Sequence, residues 1–373
     1  MRLIKCLTAI FLFMTLLLSG CSDSRELNNV AVVLATGIKK VNEGVQVSLL
    51  IAIPMSTNNG GSSPEKNPYY VETSMGRNIL DADQNIQNHS SRILRFSHRR
   101  IILIHENIAK AGITEVLDFI NRNLESRLST QVYVTRNEIT DILKAHSELD
   151  KITSEHIREI GKIMGFSVTA RELLSEINSK GKDPILPVVH YDHGKVSISS
   201  FAVFHDNTMK FETKKNETIG VCWLKKNCLK GKTLTYPVEG GYVSILITKQ
   251  HFKIKTLLKG ATPEFSIQVK GRGIIREGEQ INKLQNKREN QELEGQLEEQ
   301  IRNNIKSILD KSFAHGSDSF GFGNYARIFH NTSWESKWKN NWEQRLHSIH
   351  TNIDVKFVLE QTGLNVDRAS SPK

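Results

Sequence analysis

The longest apolar run in this chain, residues 7–18, is too short to cross a membrane, and this decides where the remainder must fold. Roughly twelve helical residues reach about 18 Å, against about 30 Å of hydrocarbon. Arg2 and Lys5 precede the run, and Leu18-Ser19-Gly20-Cys21 closes it. A positive start, an apolar middle and small residues before a cleavage point are the parts of an export signal. No later segment approaches the length of a span, so the body is expected to fold in water on the far side of a membrane.

Leu18-Ser19-Gly20-Cys21 resembles the lipobox of bacterial prolipoproteins. That resemblance implies a signal peptide over 1–20 and S-diacylglycerol on Cys21, with or without a further N-acyl group such as palmitate. Residues 21–29 then form a polar tether. Two acyl chains bury methylenes at about 0.8 kcal/mol each, which makes such an anchor effectively permanent. The formal charge is +10, and removing Arg2 and Lys5 with the leader lowers it to +8. A basic body beside a bilayer can lean on anionic headgroups. Nucleic acid is excluded as a partner by export. Of the four cysteines, Cys6 leaves with the leader and Cys21 carries lipid. Cys222 and Cys228 remain, in a disulfide-permissive setting but without a metal or redox spacing. A bridge closing this short loop and a pair of buried thiols both fit.

The mature part, about 350 residues, is long for one domain. Residues 30–38 and 45–53 are β-branched runs that read as a hairpin, followed by a loop rich in Ser, Asn, Gly and Pro. Helices are expected over 79–94, 108–124, 138–145 and 154–164, with strands over 100–105 and 131–135. Another hairpin flanks His205-Asp206-Asn207-Thr208. Residues 242–248, 252–258 and 265–275 alternate as a sheet with one wet side. Residues 291–313 carry Leu293, Leu297, Ile301, Ile305, Ile308 and Leu309 as an apolar stripe, a helix for that sheet. A closing strand follows over 352–359. The fold class is therefore α+β and multi-domain: mixed sheets with helices packed on one face, and an antiparallel C-terminal sheet. The expected units are 30–190 and 195–365, the second with a division near 280, and a tail over 366–373.

An ordered series of motifs resembles the Ger(x)C family, the lipoprotein C subunits of spore germinant receptors. It runs from the lipobox through Arg25-Glu26-Leu27-Asn28, Ala31-Val32-Val33 and His98-Arg99-Arg100-Ile101-Ile102-Leu103-Ile104 to Ala109-Lys110-Ala111-Gly112-Ile113. Asp118, Arg122, Glu125 and Arg127 follow, then Asp318-Ser319-Phe320-Gly321-Phe322-Gly323 and Trp342. Ser22 and Ser333 depart from the family pattern, where Trp and Pro are expected. The resemblance implies a non-enzymatic subunit on the outer surface of the spore inner membrane. Its partners would be membrane lipid and the polytopic membrane A and B subunits, with the germinant unknown. Two other readings are a lipid-anchored protein that captures the nutrient itself and a hydrolase acting on spore wall material.

The residues offer little chemistry against that reading. Gly321-Phe322-Gly323-Asn324-Tyr325-Ala326 formally fits a dinucleotide fingerprint, but it follows a helix rather than a strand and is not expected to open one. His190, Asp192 and His193 are adjacent in one loop and lack a further ligand in sequence. No catalytic residue, metal ligand or cofactor beyond the covalent lipid is assigned. Two features are candidates for partner or membrane contact. One is the basic cluster Arg92, Arg95, Arg99 and Arg100. The other is Trp334, Trp338 and Trp342, whose four-residue spacing also suits packing into a core.

Overall fold

In a computed structural model the described residues are 29–53, 68–123, 125, 127–146, 150–239, 241–259, 262–278 and 287–360. The lipobox, the loop after residue 53, the division near 280 and the tail lie outside them.

The described residues build two sheets. The larger is ordered β3-β2-β1-β5-β6-β7-β8-β9, with a short β4 also paired to β1. Its strands are β1 (Val30–Val41), β2 (Gly44–Ala52), β3 (Tyr69–Gly76), β4 (Ile93–Arg95), β5 (Ile101–His105), β6 (Gln131–Thr135), β7 (Ile185–Asp192), β8 (Lys195–His205) and β9 (Thr208–Glu212). The centre, β1-β5-β6-β7, is parallel. Parallel strands need cover on both faces, which is why Ile101-Ile102-Leu103-Ile104 and Val132-Tyr133-Val134 are unbroken apolar runs. Successive side chains enter opposite cores. Ile102 and Ile104 meet α1 (Ile79–His89), α2 (Glu106–Ala111), α3 (Thr114–Arg122) and α6 (Ala170–Ile177). Ile101 and Leu103 lie in the core that holds α4 (Ile139–Lys144), α5 (Thr153–Ile163) and α7 (Lys215–Trp223). Helices thus cover both faces of this sheet, more than the single face expected.

The smaller sheet is β10 (Thr233–Val238), β11 (Gly241–Lys259), β12 (Thr262–Gly278) and β13 (Thr351–Leu359) in that order. The first three are antiparallel, and β13 joins β12 in parallel. The long helix α8 (Lys287–Ala314) lays the predicted stripe into the core beside it. Its acidic face is not simply solvated. Glu298 Oε1 accepts from Phe357 N at 3.0 Å and Glu294 Oε1 from Leu359 N at 2.8 Å. These carboxylates satisfy N–H groups on the open edge of β13, an edge that would otherwise invite another strand. One core cluster runs from Ala35 and Leu103 in the large sheet to Phe265 and Phe357 in the small one. The division expected at 190–195 falls on the β7–β8 turn, yet β8 and β9 continue the first sheet beyond it.

Several boundaries moved for local reasons. The helix expected over 79–94 ends at His89, and Ile93–Arg95 pairs with β1 instead. Gly112, at φ +122°, splits the helix expected over 108–124 into α2 and α3. The third strand, β3, and helix α6 were not expected. The latter begins with a capping box, Thr169 to Glu172, that the sequence did display.

Candidate functional site

The segment between α8 and the C-terminal helices carries the polar centre of the molecule. Ser317, Asp318 and Ser319 are buried there. The carboxylate of Asp318 accepts from Phe322 N at 2.8 Å, Gly323 N at 2.7 Å and Trp342 Nε1 at 2.9 Å. Phe322 opens helix α9 (Phe322–Phe329), so Asp318 closes the start of that helix, where a carboxylate also meets the favourable end of the dipole. Burial nevertheless pushes the Asp318 carboxyl up to about 7, with the Asp183 charge adding to the rise and the three N–H donors opposing it.

Asp183 ties this segment to the large sheet. Its Oδ2 accepts from Asp318 N at 2.7 Å and its Oδ1 from Asp206 N at 2.7 Å, while its own N–H donates to Asp318 O at 3.0 Å. His205 Nδ1 lies 3.4 Å from Asp183 Oδ2 and His205 Nε2 lies 3.3 Å from Glu343 Oε1. The bond to Asp183 raises the His205 pKa. Glycines make the close approach possible. A Cβ at Gly323 would sit 2.6 Å from the Gly181 Cα and 2.7 Å from Trp342 Nε1. Gly321, at φ +74°, supplies the left-handed turn before the helix. A cleft of about 550 Å³ opens beside the junction, with Lys180, Asp183, His205, Asp206, Lys339 and Glu343 in its wall.

The Gly321-Phe322-Gly323 segment does open a helix, contrary to expectation. The N–H groups a phosphate would need are already committed: Phe322 and Gly323 to Asp318, Asn324 to Gly181 O and Tyr325 to Gly321 O. The fingerprint is a packing device. Asp183, His205 and Asp206 bring one ligand atom each within 4.8 Å of one another. Both oxygens of Asp183 already serve backbone N–H groups, so the trio is a hydrogen-bonded turn. His190 Nε2 pairs with Ser200 Oγ at 2.8 Å, while Asp192 and His193 are exposed.

The tryptophans are corrected from contact candidates to core. Trp334, Trp338 and Trp342 are 1%, 1% and 7% exposed. The chain widens into a π turn over Trp334–Trp338, then forms α10 (Trp342–Leu346). Trp334 and Trp342 rings lie 5.2 Å apart, and Trp342 meets Phe265 of β12 edge-on at 6.4 Å. Trp334 and Trp342 only edge the cleft, and at these exposures none of the three offers a broad face to a membrane.

The basic cluster divides. Arg99 is 1% exposed, so it too is withdrawn as a contact residue. Its guanidinium stacks 5.0 Å from the Phe119 ring and 5.6 Å from Phe96, and donates to Thr36 Oγ1 at 3.2 Å. Burial lowers its pKa to about 10, and burial raises that of neighbouring Asp83 to about 7 against the pull of Arg99. Arg95 pairs with Glu125 at 2.5 Å and Arg100 reaches Glu155 at 3.8 Å. Arg92 stays at the surface, partly exposed. Cys222, in the last turn of α7, and Cys228 are brought together as a disulfide in the core, Cα atoms 5.0 Å apart.

Two family models match the chain in tandem. One, described as the spore germination protein N-terminal domain, covers residues 23–191. The other, described as spore germination B3/GerAC like, C-terminal, covers residues 199–363. The chain belongs to the Ger(x)C family of spore germination proteins. Among its relatives in Bacillus subtilis (strain 168), the putative spore germination protein YfkR is 24% identical over 95% of each chain. Spore germination protein KC is 25% identical over 96% of each. The crystal structure of the GerBC protein superposes with a TM-score of 0.60 at 18% identity, covering 87% of this chain and 97% of that one, a likeness of fold. In this Ger(x)C chain the junction motif has a physical content: Asp318, Gly321 and Gly323 are the acceptor, the turn and the contact point of one joint.

Proposed function

We propose that this Ger(x)C protein is the lipid-tethered C subunit of a nutrient germinant receptor, and that it works by binding and scaffolding polytopic membrane A and B subunits. The observation that carries this is the tandem match, which spans nearly the whole chain. Among the described residues no helix is long and apolar enough to cross a membrane, which fits attachment through Cys21. Tethering confines the body to one membrane face and raises its effective concentration near its partners. Binding rather than catalysis is supported by Asp318 and Asp183, the carboxyls at the polar centre. Their oxygens are engaged by N–H donors and are poorly placed to pass protons to a substrate.

Replacing Cys21 by Ala in spores tests this reading. Loss of membrane retention together with a severe loss of nutrient-triggered germination is expected. Normal germination with the protein released from the membrane would contradict it.

Direct nutrient capture is the second reading, and the cleft beside His205 favours it. Its volume, and groups of both charges in its wall, suit a small polar solute. Calorimetric titration of the unacylated protein with individual amino acids and sugars tests it, and heat absent at millimolar ligand would remove it.

A further inference from the structure

We infer that one edge of the large sheet is a docking face for an anionic lipid bilayer. This is the edge where β1 begins, β2 ends and β3 begins. The proposal rests on the tether reading for Cys21.

The strand register defines the edge. Ile93 of β4 pairs with Val30, Ala52 of β2 with Val32, and Tyr69 of β3 with Ala52. Arg100 N donates to Leu34 O and Gln131 N to Arg100 O, which brings the starts of β5 and β6 to the same side. The loop after α3 belongs there too, because Glu125 holds Arg95 and accepts from Phe96 N.

Three observations converge on this edge. First, it is where the described chain begins. Only residues 22–29 separate Cys21 from Val30, a reach of about 30 Å at full extension, so surfaces near Val30 are the ones a lipid on Cys21 brings to the bilayer. Second, large apolar side chains are left in water there: Ile53 (44% exposed), Tyr70, Ile93 and Leu128 (41% each). Third, three of its arginines are left without an ion-pair partner, although Glu72 shares the same surface. Among the described residues no carboxylate lies within ion-pair distance of Arg92, Arg122 or Arg127. At the opposite edge most cations are paired: Lys39 with Glu138, Arg77 with Asp81, Lys110 with Glu106, and Arg136 with Glu106 and Glu212, Lys40 being the exception among the described residues of that edge. A hollow of about 300 Å³ opens on the basic edge between Ile51, Tyr70, Glu72, His89, Ser90 and Arg92. Its donors suit a phosphate headgroup. Apolar side chains flanked by unneutralised arginines are what an interfacial membrane contact requires.

The test uses residues 22–373 without the acyl group, since among the described residues both cores begin at or beyond Ala31. Partition is measured into vesicles of phosphatidylcholine alone and with about one-third phosphatidylglycerol. Binding is expected only to the anionic vesicles, falling with salt. Arg92→Glu with Arg127→Glu should weaken it about thirtyfold or more. Ile93→Ser with Leu128→Ser should weaken it about tenfold, while Arg77→Glu at the opposite edge has little effect. Thermal unfolding of each variant checks that the fold persists. Equal partition into both vesicle types, or unchanged binding by the Arg92/Arg127 variant, would overturn the proposal. So would absent vesicle binding alongside Arg92- and Arg127-dependent co-purification with membrane proteins, which would assign the edge to a protein partner. The mass of the mature N-terminus reports separately on Cys21 lipidation.

Discussion

Asp83 on the buried face of helix α1 and Asp318 at the C-terminal junction are both carboxyls pushed up to about 7, yet they are compensated differently. Asp83 lies beside a buried cation, Arg99, whose guanidinium rests on Phe119 and Phe96. Asp318 has no cation in its compensation. It is held by two backbone N–H groups at a helix start and by an indole N–H. The first arrangement depends on which side chains are present. The second depends on backbone shape, so the glycines that allow the approach matter as much as the acid. A region stabilised by charge fails when a partner is removed, and a region stabilised by geometry fails when a methyl group is added.

The largest effect expected from this contrast is Arg99→Ala. It leaves Asp83 without its buried counter-charge and should cost about 3–5 kcal/mol in chemical denaturation. The double change Asp83→Leu with Arg99→Met should recover much of that, because an apolar pair replaces a desolvated one. If it does not, the cation–aromatic stacking rather than the charge is what holds α1. Next is Gly323→Ala, where the added Cβ meets backbone at 2.6 Å and neither element can retreat alone. About 3 kcal/mol is expected from such overpacking, and a loss under 1 kcal/mol would mean the joint is looser than its contacts imply. Smaller is Asp318→Asn, at about 2 kcal/mol, since an amide N–H would face donors. It also carries a pH signature. An acid whose folded pKa is raised binds its proton more tightly when folded, so its stabilisation is full below about 4 and is lost as pH rises towards 7. Asp318→Asn should therefore flatten the fall of stability between pH 4 and 7, by at most about 1.4 kcal/mol per pH unit. An unchanged slope would place the titration in Asp83 instead.

Much of the architecture was legible because its signals are local. The β1–β2 hairpin, the runs of β5 and β6, and the stripe of α8 are set by periodicity and burial. The same patterns could not show which residues cross from surface to core. His98-Arg99-Arg100 reads as one basic edge, but the turn before β5, closed by Arg99 N donating to Phe96 O, carries Arg99 inward while Arg100 reaches Glu155. Glu294 and Glu298 lie off the apolar stripe of α8, and nothing in that periodicity shows that they serve the free edge of β13 some 60 residues on. The Asp318 joint was visible only as a motif that resembled a family. Its partner Asp183 is 135 positions away, and no spacing rule connects them. Helix α6 is different, because its Thr169 to Glu172 capping box is a local signal that the sequence displays in full.

A Ger(x)C chain that works as proposed is a subunit bound to membrane partners. Affinity purification of a tagged chain from detergent extracts of spore membranes tests it most directly. Recovery of polytopic A and B subunits with the chain, in constant proportion and dependent on an intact fold, is the predicted result. Recovery of the chain alone from spores that germinate normally in response to nutrients would contradict it.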